Sequence, residues 1–299
     1  MKKTNENIFY VLLLLAMIGW GASWVNVKVL SSYINEFEMV FFRFFITAIT
    51  MVPIIIFLKK SFKIDLKSLL LVIVTSIAFI AYMKYFFLGT KFGTASLAGA
   101  FVTTLIPINT FLILALFKVK KICKGDVFAL VLGGVGVLTM LNIWSFGLSQ
   151  IMLVQNLYFI LASVLWPFVT IFSSKSTKVS PIVFTFYLYI VTVILDLVFF
   201  VDISQIAVEN FDSIFWLNIF ILTIVGTTFA NTVYFLGIEK IGASESSSFI
   251  FLVPFAAILL SAIFLKEVIS TSMIVGTILT LVSVKILNNI KFFKAKKVN

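Results

Sequence analysis

One pattern occurs twice in this chain: residues 93–118 read GTASLAGAFVTTLIPINTFLILALFK, and residues 242–266 read GASESSSFIFLVPFAAILLSAIFLK. Each copy opens on small residues, carries one proline inside an apolar run and closes with a lysine shortly after phenylalanine. Pro107 and Pro254 follow the opening serine by 11 and 10 residues. Because an α-helix needs about 20 apolar residues to cross the core of a bilayer, the pattern predicts two related membrane-spanning helices.

The composition of the whole chain predicts that lipid is its main solvent. Of the 299 residues, 62% are hydrophobic and 12% are charged, and the mean hydropathy is +1.18. A soluble globular domain carries about 25% charged residues, so this chain has too few to cover a water-exposed surface. Its apolar runs predict an all-α integral membrane protein with ten transmembrane helices. The runs cover residues 8–29, 38–58, 68–88, 95–117, 126–143, 153–174, 181–201, 214–236, 247–265 and 269–288.

The lysines predict how these helices are oriented. Of the 23 basic residues, 17 lie at the two termini or in alternate loops, whereas the intervening loops 30–37, 144–152 and 202–213 contain none. Cytoplasmic loops of membrane proteins carry an excess of lysine and arginine. The alternation therefore predicts a multi-pass protein of a cell membrane, of the bacterial inner-membrane type, with both termini in the cytoplasm.

The two halves of the chain, residues 8–143 and 153–288, are predicted to be two copies of one five-helix unit. Besides the pattern quoted above, Trp20-Gly21 lies opposite Trp166-Pro167 when the halves are aligned. Because five is odd, the second copy enters the membrane with the opposite polarity. Inverted repeats let a site at their interface open alternately to either side. The predicted fold is therefore ten transmembrane helices arranged as two inverted five-helix repeats.

These motifs carry a family resemblance. The first helix reads GWGASW at residues 19–24, the second carries Arg43, and the repeated pattern extends over 93–120 and 242–267. In this order and spacing the chain resembles the EamA type of the drug/metabolite transporter superfamily over nearly its whole length. The resemblance implies one EamA domain in each half and a central cavity lined by helices 1, 3, 4, 6, 8 and 9. It also implies export of amino acids or related metabolites.

Four ionisable residues are predicted to share one depth in the outer third of the membrane. They are Lys28, Arg43, Lys84 and Asp196, and Arg43 is the only arginine in the chain. Charged side chains are costly in lipid and usually face a cavity or a partner. One interpretation is a basic outer vestibule, partly balanced by Asp196, that holds a carboxylate. The other is that the lysines reach out to the interface and that Arg43 pairs with Glu36 or Glu38.

Six deeper polar or aromatic residues are candidates for contact with a substrate. They are Trp20, Tyr82, Asn109, Trp166, Asn231 and Tyr234. The two tryptophans are repeat-related and are predicted near the midplane, away from the interfacial belt. Aromatic walls suit an amphipathic or aromatic substrate and can hold an ammonium group by cation–π contact. Asn109 follows Pro107 by two residues, where an unwound turn would expose carbonyls. Ordinary helix packing is the alternative for each residue.

The start of the ninth helix is a further candidate site. Residues 244–248 read SESSS, and their amides and hydroxyls, including Ser247, are suited to an anionic group of the substrate. An N-cap role alone explains Ser244 equally well. Glu245 is the first choice for proton coupling and Asp196 the second, because a desolvated carboxylate can titrate near neutral pH.

Residue types argue against several other functions. The chain has no histidine, and Cys123 is its only cysteine, so we expect no metal or other cofactor and no enzymatic activity. The net charge of +11 comes from lysines that orient helices, so nucleic acid is not an expected partner. The expected partners are a small-molecule substrate and membrane lipid. A small-residue face over 129–136 packs against the tenth helix or forms a homodimer.

The leading hypothesis is a secondary active exporter of small metabolites such as amino acids. The sequence contains no nucleotide-binding loop, so ATP is not the direct energy source. Coupling would be to protons, to exchange or to nothing beyond the substrate gradient. A non-transporting membrane subunit or receptor is the alternative, and an intramembrane enzyme is a more distant one.

Overall fold

The computed structural model describes residues 4–118, 122–176, 178–241 and 249–287, and all regular structure in these residues is helical. The main helices of this part of the chain are numbered α1 to α10. They are α1 (Thr4–Leu30), α2 (Glu36–Phe57), α3 (Leu66–Phe92), α4 (Ala95–Leu116), α5 (Lys124–Met140), α6 (Val154–Ser174), α7 (Pro181–Phe199), α8 (213–241), α9 (Val253–Phe264) and α10 (Thr271–Leu287).

Helix α8 changes its winding along its length. It is α-helical over Ser213–Phe220 and Ala230–Ile241, and a π-helix over Ile221–Phe229 between them. Segments of π-helix are rare and occur frequently at functional sites. The middle of α8 is therefore a candidate functional segment.

Seven of the described helices, α1 to α4 and α6 to α8, are long and apolar enough to cross a membrane. α10 and the segment Phe249–Phe264, which contains α9, are shorter apolar helices. α5 has 17 residues. The prediction of an all-helical, multi-pass membrane architecture is confirmed, whereas the count of ten crossings stays a prediction.

The helix ends follow local chemistry. Asn35 caps α2 by accepting hydrogen bonds from backbone amides of its first turn, and the Glu38 side chain accepts one from the Asn35 amide in return. This reciprocal capping box satisfies amides that have no partner within the helix. Lys118 after α4 and Lys266 after α9 both have a left-handed φ, 58° and 56°. These two lysines belong to the repeated pattern, so the repeat extends to the backbone conformation.

The contacts between helices have an approximate twofold symmetry that exchanges the two halves. α3 packs along α6, and α8 packs along α1; α4 packs on α6, and α9 packs on α1. The equivalent helices α4 and α9 contact each other, as do α5 and α10, and α2 and α7. Exchanging the first five helices for the last five therefore reproduces the packing.

The loops gather at two ends of the bundle. The Ser176 hydroxyl donates to the Ser68 hydroxyl at 3.0 Å, and the Tyr187 hydroxyl donates to the carbonyl of Phe62 at 2.6 Å. Loops 58–65 and 175–180 thus lie at the same end, which we call the lysine-rich end. The other end, formed by residues 31–35 and 200–212, is called the opposite end.

The small-residue face of α5 packs against α10, as predicted. The Ser283 hydroxyl donates to the carbonyl of Ala129 at 2.5 Å. A Cβ atom added to Gly136 would lie 2.9 Å from the carbonyl oxygen of Gly276. Small side chains let the two backbones approach this closely, which is how helices associate in lipid without a hydrophobic driving force.

We predict that Gly136→Val lowers thermal stability. The added side chain meets the backbone of α10, and overpacking of this kind costs about 1–3 kcal/mol. Gly134→Val is the matched control, because a Cβ atom at Gly134 meets nothing within 4 Å. Unfolding temperatures in detergent compare the two variants, and equal temperatures would contradict the close approach of α5 and α10.

Candidate functional site

A cavity of about 980 Å³ lies between the two halves of the bundle. Its lining comes from the helices that the family resemblance implied, namely α1, α3, α4, α6, α8 and the segment containing α9, and also from α2, α7 and α10. Ser176 and Val179 line it at the lysine-rich end, whereas Arg43 and Phe86 line it towards the opposite end. The cavity therefore extends from the lysine-rich loops deep into the bundle.

Aromatic packing closes the bundle beyond the deep part of the cavity. The rings of Trp24 and Phe86 lie 4.3 Å apart. Nearer the opposite end, the rings of Phe211 and Phe215 stack at 3.8 Å, and Phe42 packs edge-on against both. Contacts between α1, α2, α3 and α8 thus separate the cavity from the opposite end.

Hydrogen bonds also hold the opposite end closed. The Tyr33 hydroxyl donates to the Asp212 carboxylate at 3.0 Å. The Asp212 carboxylate also accepts from the amide of Phe215 at the start of α8, and these bonds lower its pKa. Lys28 donates to the carbonyls of Lys91 and Gly93 at 2.7 and 2.6 Å, which ties α1 to the end of α3.

A carboxylate from the second half caps a helix of the first half at this end. Glu267 accepts from the amides of Ala95 and Ser96 at 2.8 and 2.9 Å and from the Ser96 hydroxyl at 2.6 Å. A carboxylate at a helix N-terminus is stabilised by the unpaired amides and by the helix dipole. The loop after α9 is thereby held against the start of α4.

Arg43 lies at the deep end of the cavity without an anionic partner. Its side chain is 8% exposed, and no carboxylate within the described residues forms an ion pair with it. Its Nε donates to the Thr227 hydroxyl at 3.1 Å, and its guanidinium lies 5.5 and 5.9 Å from the ring centroids of Phe44 and Phe86. The predicted alternative of a pair with Glu36 or Glu38 is not formed. A buried charge of this kind is expensive unless an anion joins it.

The π-helix of α8 positions the Thr227 hydroxyl, which accepts a hydrogen bond from Arg43. Thr227 donates to the carbonyl of Leu222, five residues earlier, at 2.8 Å. Its oxygen is then free to accept from the Arg43 Nε. On the same segment, Gly226 packs against Ser23 and Gly19 of α1. The unusual winding therefore serves both the close packing of α1 and the polar contact in the cavity.

A hydrogen-bonded chain of three side chains crosses the cavity wall. The Trp20 indole donates to the Asn231 side-chain oxygen at 2.9 Å, and the Asn231 amide donates to the Tyr189 hydroxyl at 2.5 Å. The Trp20 ring also packs 5.2 Å from the Tyr234 ring. The chain joins α1, α8 and α7 and fixes the edge of an aromatic wall.

The second repeat-related tryptophan forms the facing wall. The Trp166 ring packs 4.7 Å from Tyr82 and 6.2 Å from Phe79. Trp20 of α1 thus contacts α8, and Trp166 of α6 contacts α3, as exchange of the two halves requires. Six predicted residues line the cavity: Trp20, Arg43, Tyr82, Trp166, Asn231 and Tyr234. Their role in binding stays a prediction.

Other predicted site residues lie elsewhere. Asn109 donates to the Ser163 hydroxyl at 2.9 Å in the interface of α4 with α6, and α4 stays helical through Pro107. The prediction of an unwound turn there was wrong, because the helix continues on both sides of the proline. Glu245 and Ser247 lie outside the described residues.

The four ionisable groups predicted at one depth are not brought together in this conformation. Lys28 bonds to carbonyls at the end of α3, and Lys84 lies 5.5 Å from the ring of Phe37. Asp196 is fully buried away from the cavity lining, and only Arg43 faces the cavity. A shared basic vestibule is therefore absent among the described side chains.

Sequence reasoning missed two residues whose hydroxyls bond to predicted residues of the cavity. Tyr189 and Thr227 supply hydroxyls to Asn231 and Arg43. Tyr189 is one of three tyrosines or threonines in the apolar stretch 185–189, and its register on α7 was the one available signal. Thr227 had none, because a π-helix displaces side chains from the ordinary helical period.

Comparison with known proteins identifies the family. The model of the EamA-like transporter family matches this chain twice, over residues 7–142 and 153–289. The chain belongs to the EamA-like transporter family. The two matches, one for each half, agree with the pairing of helices described above. The family is one of transporters and not of enzymes.

Solved structures share this EamA fold. In all, 22 chains of known structure match. One, recorded as "Crystal structure of protein", has 17% sequence identity and a TM-score of 0.60 over 94% of this chain and 96% of that chain. At this identity the likeness shows the fold alone. No curated protein matches the chain.

We predict that Asn231→Leu destabilises this EamA protein. The variant keeps the branching and the number of heavy atoms of the side chain but leaves the Trp20 indole and the Tyr189 hydroxyl without their partner, and an unsatisfied buried polar group costs about 1–3 kcal/mol. Asn218→Leu is the control, because Asn218 bonds only to the backbone of its own helix, at Ile214. Unfolding in detergent, followed by tryptophan fluorescence, should separate the variants. An equal loss of stability in both variants would contradict a stabilising role for the hydrogen bonds among Trp20, Asn231 and Tyr189.

Proposed function

We propose that this protein is a secondary active exporter of small metabolites that carry a carboxylate, such as amino acids. We further propose that it crosses a bacterial inner-membrane type of bilayer ten times, with both termini in the cytoplasm. Membership of the EamA family supports transport. The observation that carries the choice of substrate is the unpaired guanidinium of Arg43 in the cavity.

Arg43 favours an anionic ligand for an electrostatic reason. A guanidinium taken out of water loses hydration, and the single neutral hydroxyl of Thr227 replaces little of it. Its planar fork matches the two oxygens of a carboxylate, and charge-assisted bonds of this type are about twice as strong as neutral ones. A substrate carboxylate at Arg43 would neutralise a charge that the described lining residues leave without an anionic partner.

The aromatic walls favour the rest of an amino-acid-like molecule. Trp20, Trp166 and Tyr82 offer ring faces that bury an apolar body and attract an ammonium group. Ligand pockets span roughly 300–1,000 Å³, and a cavity of about 980 Å³ has room for an amphipathic metabolite with some water. A ligand with a carboxylate at one end and an aromatic or aliphatic body uses both features.

The conformation favours loading from the lysine-rich end. The cavity extends to Ser176 and Val179 there, while aromatic packing closes the other end. By the positive-inside rule the lysine-rich end would face the cytoplasm. We propose that substrate enters this conformation from the cytoplasm. The two inverted halves then exchange conformations, which closes the lysine-rich end, opens the opposite end and releases the substrate outside.

We predict that Arg43→Gln reduces carboxylate transport by about 10- to 100-fold, because a hydrogen bond to a charged group contributes about 1.5–3 kcal/mol. Arg43→Lys keeps the charge but loses the fork, so an intermediate rate is expected. The measurement is uptake of radiolabelled phenylalanine, leucine and glutamate into proteoliposomes.

The control is Lys67→Gln, which removes a positive charge from an exposed side chain and should leave the rates unchanged. Size-exclusion profiles confirm that each variant is folded. Undiminished carboxylate transport by folded Arg43→Gln would reject the proposed role of the guanidinium. Absence of transport of every tested compound by the parent protein would reject the substrate class.

A further inference from the structure

Asp196 carries a buried carboxyl group that does not line the cavity. Its side chain is 0% exposed, and neither carboxyl oxygen has a hydrogen-bond partner in the described part of the chain. One helical turn earlier, the Thr192 hydroxyl is equally buried and also lacks a partner. A charged carboxylate in such a place would lose its hydration without compensation.

The position of Asp196 along α7 adds to this cost. It lies in the last turn of the helix, where its own carbonyl accepts from the amides of Phe200 and Val201 at 2.8 and 3.0 Å. The carbonyl end of a helix carries partial negative charge. Burial, the absence of donors and the helix dipole therefore all favour the neutral, protonated carboxyl.

Among the described residues, no positive side chain donates a hydrogen bond to the Asp196 carboxyl group. α7 packs on α2, α3 and the second half of α8. Arg43 points to Thr227, Lys84 lies over the Phe37 ring, and Glu38 accepts from the Asn35 amide. The second half of α8, which runs towards the lysine-rich end, carries Tyr234, Glu239 and Lys240, and the first half carries no titratable side chain. The titratable or charged groups of α2 and α3 in this half of the bundle are Glu36, Glu38, Arg43, Tyr82, Lys84, Tyr85 and Lys91, and the nearest on α7 itself is Tyr189. Lys91 lies 5.9 Å from the centroid of the Phe87 ring.

We propose that Asp196 is a proton-binding site whose occupancy permits closure of the opposite end. The bound proton keeps the carboxyl neutral while α7 packs against α2 and α3. When that end opens, water reaches Asp196, and the proton leaves to water as the carboxylate forms.

This proposal rests on the alternating access proposed above, and it has a thermodynamic consequence. Because the closed conformation binds a proton that the open conformation releases, acid favours closure and alkali favours opening. The ratio of open to closed protein then rises by up to about tenfold for each pH unit over the titration range. The response involves one proton and does not depend on the identity of the substrate.

The experiment measures conformation and not transport, so that its failure is distinct from failure of the proposed substrate class. Thr103→Cys places a thiol on the cavity lining in a background where Cys123→Ser removes the native cysteine. A membrane-impermeant maleimide added at the opposite end reaches this thiol only when that end is open. Val208→Cys, at an exposed position of the same end, corrects for the effect of pH on thiol reactivity.

Normalised labelling should rise from about pH 5 to about pH 8 by up to about tenfold per unit. Asp196→Asn mimics the protonated carboxyl and should label slowly at every pH. Asp202→Asn removes an exposed carboxylate bonded to Ser204 and Gln205 and should respond as the parent does.

Labelling of the parent that is independent of pH would overturn the proposal. A full pH response in folded Asp196→Asn would overturn it as well. If Asp196→Asn does not fold, Asp196→Glu retains a carboxyl with a different intrinsic acidity. Its midpoint should then move from that of the parent, and an unmoved midpoint counts against the site.

Discussion

A charge buried in a lipid-embedded bundle has to be compensated, and this requirement centres on Arg43. The only arginine of the chain is 8% exposed at the deep end of the cavity. The described residues supply it with a threonine hydroxyl, the thioether of Met83 and two aromatic rings but no carboxylate. Cation–π contacts of this kind contribute about 0.5–2 kcal/mol each, less than the hydration that burial removes. An anion that enters the cavity would compensate this charge.

The rest of the fold builds the surroundings of this guanidinium. The π-helix of α8 presents the Thr227 hydroxyl, and close packing of Gly226 on α1 holds that segment in place. The twofold arrangement brings Trp20 and Trp166 to facing walls, each against the helix that the symmetry requires. Aromatic packing and the caps at Asp212 and Glu267 close one end while the other stays accessible. In this conformation the cavity lining extends from Arg43 to the lysine-rich end.

Sequence reasoning found much of this because membrane proteins restrict where polar residues occur. Arg43, Trp20, Trp166 and Asn231 stood out as polar or repeat-related residues inside apolar runs, and the structure places them on the cavity. Repeat alignment and lysine distribution predicted the two halves and the shared end of loops 58–65 and 175–180. These features depend on composition and spacing alone.

The direction in which each side chain points was harder to predict from the sequence. Lys28, Lys84 and Asp196 share a depth with Arg43, but only the rotation of each helix decides which group faces the cavity. Asn109 was expected at an unwound turn, yet α4 tolerates Pro107 without a break because neighbouring helices support it. Thr227 was missed because the π-helix alters the helical period locally, which no pattern of apolar residues revealed.

Chemical modification of Arg43 tests the account most directly. Because the chain contains a single arginine, mass spectrometry assigns every adduct of an arginine-selective glyoxal reagent to this residue. The account predicts that the reagent modifies the protein from the lysine-rich side and that phenylalanine slows the reaction, whereas phenethylamine, which lacks the carboxylate, does not. Equal protection by both compounds would contradict the binding of a carboxylate by Arg43. Modification only from the opposite side would contradict a cavity that is reached from the lysine-rich end.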